Sequence, residues 1–125
     1  FRRNLEHFVA IARRRGIRPI LMTQPCTLLF DDHALHHAET HHAQFRHPVH
    51  NPAGPSIGHE AYIAAHRLYN EITREVARAE GAGLVDLERL MPQRAGLFAD
   101  TVHVNDTGAA EQARIILAAL QPARE

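Results

Sequence analysis

The stretch "IRPILMT", residues 17–23, gives the strongest indication of the fold of this 125-residue chain. Its apolar residues are nearly continuous, which is typical of a strand in a parallel sheet that is covered on both faces. Gly16 ends the helix that precedes this segment, and Pro25 ends the predicted strand. A second short apolar segment, "LVDL" at residues 84–87, predicts a second buried strand.

Three amphipathic helices flank these two segments, over residues 1–15, 59–79 and from 105 or 107 to 120. The alternation predicts an α/β fold, a three-layer sandwich with a parallel sheet. Two strands alone leave both sheet edges open, so we expect only part of such a domain here. The predicted buried side of the second helix comprises Tyr62, Ala65, Leu68, Tyr69, Ile72, Val76 and Ala79. That of the last helix comprises Ala109, Ala113, Ile116, Leu117 and Leu120.

Residues 26–58 predict a long histidine-rich loop. His37 follows His33 and precedes His41 at a spacing of four, which would place these imidazoles on one helical face, as in many zinc sites. No cysteine accompanies them in a ligand pattern, and no H-E-x-x-H motif is present. A solvated loop that gains charge below pH ~6.5 is the favoured interpretation. We therefore predict neither a metal site nor another cofactor.

The charge balance bounds the possible partners. Fourteen arginines balance 14 acidic residues, so no basic surface is forced and nucleic acid is not a predicted partner. A single cysteine excludes an internal disulfide. No apolar run approaches the roughly 20 residues of a membrane span. These features leave the compartment and the oligomeric state open.

Asp100 and His103 are the candidate acid–base residues. They lie three positions apart in "LFADTVHVNDTG", between the second strand and the last helix. An aspartate there can hold the imidazole tautomer while the other ring nitrogen accepts a proton. The alternative is an ordinary loop aspartate beside a surface histidine. It stays open because an aspartate three residues before a histidine arises readily by chance.

A nucleophile for this pair is harder to find. Ser56 in "GPSIG" matches the Gly-x-Ser-x-Gly pattern, but it follows a proline-rich stretch that cannot form the central strand of a nucleophile elbow. Cys26 follows the first strand almost directly, yet a lone cysteine there is more typical of a packed core residue. Neither residue is a convincing partner for His103.

Three segments together resemble the C-terminal half of SGNH (GDSL-type) hydrolases. These are "FRRNLEHFVAIARRRGIRPILMTQP" (1–25), "YNEITREVARAEGAGLVDLERLMP" (69–92) and "LFADTVHVNDTGAAEQARIILAAL" (97–120). The resemblance implies that residues 1–125 are the C-terminal portion of one domain with that family's flavodoxin-like fold. The family's Gly-Asp-Ser block, and the glycine and asparagine of its oxyanion hole, are not found in this chain.

The resemblance also implies roles for particular residues. His103 would be the general base toward a serine upstream of residue 1, and Asp100 would orient the imidazole. Thr23 and Gln24 would lie near the cleft for a small-molecule ester, and the loop at 26–58 would overhang it. We expect this portion alone to be inactive. Two other hypotheses remain: a metal-binding module built on the histidine-rich loop, and a non-catalytic interaction domain in which Asp100 and His103 only cap and pack.

Overall fold

The computed structural model describes residues 1–29 and 59–120. Its helices are α1 (Arg2–Arg14), α2 (His59–Glu80), α3 (Leu87–Leu90) and α4 (Asp106–Leu120). Its strands are β1 (Ile20–Met22) and β2 (Gly83–Val85), and 3₁₀ turns occupy Thr27–Leu29 and Ala95–Leu97. The three predicted long helices are confirmed to within a residue or two. Both predicted strands are present but shorter than the apolar segments that indicated them.

The predicted three-layer α/β sandwich of the flavodoxin-like type is wrong. The described residues are 66% helical, and their sheet has two parallel strands of three residues each. Ile20 is paired with Gly83, and Met22 with Val85. Strands this short and this few cannot form the broad sheet that separates the helical layers of a sandwich. Long helices supply most of the packing instead.

Both α1 and α2 end in the same backbone motif. Gly16 after α1 and Gly81 after α2 have positive φ angles of 70° and 60°, a conformation that side chains other than glycine disfavour. The next residue in each case returns a hydrogen bond to the last turn: Ile17 N–H donates to Ala12 O at 2.9 Å, and Ala82 N–H to Ala77 O at 2.9 Å. These ends turn the chain directly into β1 and β2.

Two apolar clusters are divided by the strand pair, because successive strand residues face opposite sides. Leu21 packs in the cluster beneath α1 and α2, whereas Ile20 packs against the cluster on the α4 side. The first cluster comprises Val9, Leu21, Val76 and Ala77. The second comprises Val85, Leu87, Met91, Leu97, Phe98 and Ile115, with Val104 packed against it. The second cluster thus supports the chain on either side of Asp100 and His103.

The predicted buried side of α2 is wrong in part. Leu68 and Tyr69 are more than half exposed, whereas three polar side chains of the same helix are buried. These are Asn70, Thr73 and Arg74. Polar groups can occupy that side because they have hydrogen-bond partners there, described below.

The predicted buried side of α4 is also wrong in part. Gly108 and Ile115 are buried, whereas Leu117 and Leu120 are exposed. Large apolar side chains are also exposed on the strand pair, where Met22 is 50% accessible. Both α4 and the strand pair therefore leave large apolar side chains in contact with solvent.

Candidate functional site

The Asp100–His103 turn is the tip of a closed loop. An antiparallel bridge joins Phe98 to Val104, and the N–H of Ala99 donates to the carbonyl of His103 at 2.7 Å. Phe98 is buried in the second cluster, and Val104 packs against that cluster. The base of the loop is therefore anchored in the core, and at its tip Thr101 is buried while the His103 side chain is exposed.

The Asp100 carboxylate organises this tip with both of its oxygens. Oδ1 accepts hydrogen bonds from the backbone N–H groups of Val102 at 2.8 Å and His103 at 2.7 Å. Oδ2 lies 2.7 Å from Nδ1 of the His103 ring. Partial burial raises the pKa of Asp100, but these backbone and ring hydrogen bonds outweigh it and bring the pKa down from 3.8 to about 2. The carboxylate is therefore ionised at neutral pH.

An ionised carboxylate decides the tautomer of the His103 ring. It can only accept hydrogen bonds, so Nδ1 carries the proton that faces Asp100. In the neutral ring, Nε2 is then the nitrogen with a free lone pair. The His103 side chain is 78% exposed, so packing contributes little to its position. The carboxylate holds the ring instead, and this is the arrangement that an oriented general base requires.

A groove of about 520 Å³ joins His103 to the end of β1. Thr23, Gln24 and His103, which the resemblance to the hydrolase family placed around one cleft, all line it. Its other lining residues are mostly apolar: Met22, Leu87, Val102, Val104, Gln112 and Ile116. An apolar groove with a few polar groups and an imidazole at its edge fits a small organic molecule better than a highly charged one.

The Thr23 hydroxyl is engaged inside the protein rather than offered to the groove. It donates to Asp86 Oδ1 at 2.8 Å and accepts from the N–H of Glu88 at 3.0 Å. Arg74 holds the same carboxylate with two further hydrogen bonds of 2.8 Å. Burial raises the pKa of Asp86, but Arg74 and Thr23 more than offset it, and the pKa is lowered overall. Sequence reasoning missed this buried ion pair, although an aspartate at the end of a buried strand was a signal for it.

Cys26 is a core residue in this structure. Its side chain is only 1% exposed, and burial raises the pKa of the thiol to about 11. The thiol is therefore protonated at neutral pH and is a poor nucleophile. Ser56 and the histidines at 33, 37 and 41 lie outside the described residues.

Within residues 1–29 and 59–120, no three His, Cys, Asp or Glu side chains are grouped so that they could hold a metal ion. In the same ranges, no helix is long and apolar enough to cross a bilayer.

Comparison with known proteins gives one informative match. No protein-family model matches the chain. The chain is similar to a Bacillus subtilis (strain 168) protein named uncharacterized lipoprotein YqeF, with 34% identity over 86 residues. The match covers 69% of this chain but only 32% of the Bacillus protein. The chain thus corresponds to about a third of that relative.

Proposed function

We propose that Asp100 and His103 are the acid–base pair of an SGNH-type serine ester hydrolase, acting on a small-molecule ester bound in the groove. The observation that carries this proposal is the 2.7 Å contact between Asp100 Oδ2 and His103 Nδ1, which assigns the proton to Nδ1 and frees Nε2. The nucleophilic serine is placed in polypeptide outside residues 1–125. The balanced charge of the chain offers no reason to add nucleic acid as a partner.

The chemistry follows from this geometry. His103 Nε2 removes the proton of the serine hydroxyl as the serine oxygen attacks the ester carbonyl. The resulting imidazolium is stabilised by the ionised Asp100 and then protonates the departing alcohol. A water molecule, deprotonated by the same nitrogen, then attacks the acyl carbonyl, and the imidazolium returns that proton to the serine oxygen as the bond to serine breaks and the acid is released. Asp100 stays ionised throughout, which its low pKa favours.

Two observations support a contribution from further polypeptide. The matched region is about a third of the Bacillus relative, so a protein of that size has ample chain for a nucleophile. Met22 lines the groove and is 50% exposed, and Leu84 on the neighbouring strand is 38% exposed. Another part of the protein can pack against these apolar side chains.

The test uses the intact polypeptide as its source produces it. A fluorophosphonate probe should label one serine, and p-nitrophenyl acetate should be hydrolysed. His103→Ala should lower kcat by at least about 1,000-fold, the scale seen when a triad member is removed. His7→Gln, on the exposed side of α1, is the matched control and should leave kcat unchanged. Esterase activity that survives His103→Ala at the wild-type level would overturn the proposal.

A further inference from the structure

Gln24, the second residue after β1, has both of its backbone polar groups held by one side chain. The amide of Asn70 accepts from Gln24 N–H through Oδ1 at 2.9 Å and donates to Gln24 C=O through Nδ2 at 2.9 Å. Asn70 is only 3% exposed. The same carbonyl lies 2.9 Å from His66 Nε2, and because a carbonyl can only accept, that ring nitrogen must donate.

The segment that Asn70 holds also reaches the catalytic turn at two points. Gln24 Nε2 donates to the carbonyl of Val102 at 3.1 Å. Three residues later, the N–H of Thr27 donates to the carbonyl of Thr101 at 2.8 Å. These contacts hold carbonyl groups of the turn, whereas Asp100 Oδ1 holds the N–H groups of Val102 and His103. The Thr101–Val102 and Val102–His103 peptide groups are therefore each held at both the carbonyl and the N–H.

We infer that Asn70 is a positioning residue for His103 and acts through Gln24. Its amide fixes the backbone of Gln24, the Gln24 side chain fixes the carbonyl of Val102, and Val102 is followed directly by His103. This also gives Gln24 a different role from substrate binding, since its amide nitrogen is engaged with the protein. A buried amide with both ends satisfied fixes geometry in a way that an apolar side chain of similar size cannot.

The effect on the turn does not depend on the proposed function, although its consequence for catalysis does. The first measurement is therefore amide hydrogen exchange by NMR on the full chain. Asn70→Leu keeps the volume but removes both hydrogen bonds to Gln24. It should lower the protection of the Val102 and His103 amides by about tenfold, relative to the amide of Val9 in α1.

Thr73→Val is the matched control, because Thr73 is also buried on α2 but its hydroxyl bonds within the helix, to Tyr69 O at 2.8 Å. It should leave the ratio of turn protection to Val9 protection unchanged. An Asn70→Leu variant with an unchanged ratio, or with an equal loss at all amides, would overturn the inference. If Asn70→Leu does not fold, Gln24→Ala tests the same link at an exposed side chain and should lower the same ratio.

The second measurement separates this inference from the proposed function. In the intact polypeptide, Asn70→Leu should lower kcat about tenfold with little change in KM, since it misplaces the base rather than the groove. Thr73→Val should leave kcat unchanged. If the wild-type polypeptide hydrolyses no ester, the proposed function fails, while the exchange experiment still decides the role of Asn70.

Discussion

Gly108 leaves less room for a side chain than any other glycine in the described part of the molecule, and replacing it with alanine tests the packing around it. A Cβ atom at this position would lie 2.0 Å from the carbonyl oxygen of Leu97 and 2.8 Å from Cβ of Val104. Neither neighbour is the end of a flexible side chain. The first turn of α4 or the loop that carries His103 must therefore move by about an ångström to make room.

The expected magnitude follows from three contributions. Alanine favours a helix over glycine by about 1 kcal/mol, which would stabilise the variant. Overpacking a rigid contact costs about 1–3 kcal/mol. The movement also weakens two hydrogen bonds worth about 1 kcal/mol each, from Asn105 N–H to Leu97 O at 3.0 Å and from Gly108 N–H to Asn105 Oδ1 at 3.0 Å. We therefore expect Gly108→Ala to lower the free energy of unfolding by about 2–4 kcal/mol.

Urea denaturation followed by circular dichroism measures this difference. Ala110→Gly, at an exposed position of the same helix, is the control and should cost about 1 kcal/mol through helix propensity alone. If helix propensity alone mattered, Gly108→Ala would stabilise the protein and Ala110→Gly would destabilise it. If the contact at Gly108 is tight, both variants are less stable than the wild type. A Gly108→Ala variant as stable as the wild type, or more stable, would refute the close approach of α4 to the Leu97 carbonyl.

Two further predictions concern titratable groups. The depressed pKa of Asp100 adds about 2 kcal/mol of stability, which is present above the ordinary pKa of 3.8 and is lost as the pH falls toward 2. The difference in unfolding free energy between the wild type and Asp100→Asn should therefore shrink between pH 5 and pH 2. A difference that stays constant would contradict an ionised Asp100 carboxylate. Cys26 is buried and its pKa is raised to about 11, so its thiol should resist iodoacetamide at pH 8 in the folded protein and react fully in denaturant. Mass spectrometry measures the alkylation, and rapid alkylation of the native protein would contradict the burial of Cys26.

The sequence was informative wherever structure is decided locally. The helix ends at Gly16 and Gly81 follow from the freedom of glycine at positive φ; Gly16 was predicted as a helix stop, and Gly81 lies two residues beyond the predicted end of the second helix at residue 79. The Asp100–His103 pair was also predictable, because its members are three residues apart and one tight turn brings them together. His103 lines one groove together with Thr23 and Gln24, the two residues that the resemblance placed near a substrate cleft; a role of these residues in substrate binding stays a prediction.

The predictions failed where several elements decide the outcome together. The alternation of helix and strand indicated a sandwich, but the ladder between β1 and β2 stops after three residue pairs. After Met22 and Val85 side-chain contacts replace the backbone ladder: Gln24 N–H donates to Asn70 Oδ1, and the Asp86 carboxylate accepts from Thr23 and Arg74. Apolar periodicity also misassigned the buried side of α2, because it counts apolar residues only and cannot foresee polar side chains that are buried with partners from distant segments.

The two kinds of contact around His103 imply that orientation of its ring and placement of its backbone are separable. Asp100 orients the ring within a turn of four residues, so this pairing needs little from the rest of the fold. Asn70 acts on the turn through Gln24, which lies 46 positions before it in sequence, and so depends on the packing of α2 against β1. Asp100→Asn should therefore disturb the ring while the contacts of Gln24 persist, and Asn70→Leu should displace the turn while the 2.7 Å ring contact persists. If loss of either residue abolished both features, the turn and its support would be a single cooperative unit, and no separate positioning role for Asn70 would remain.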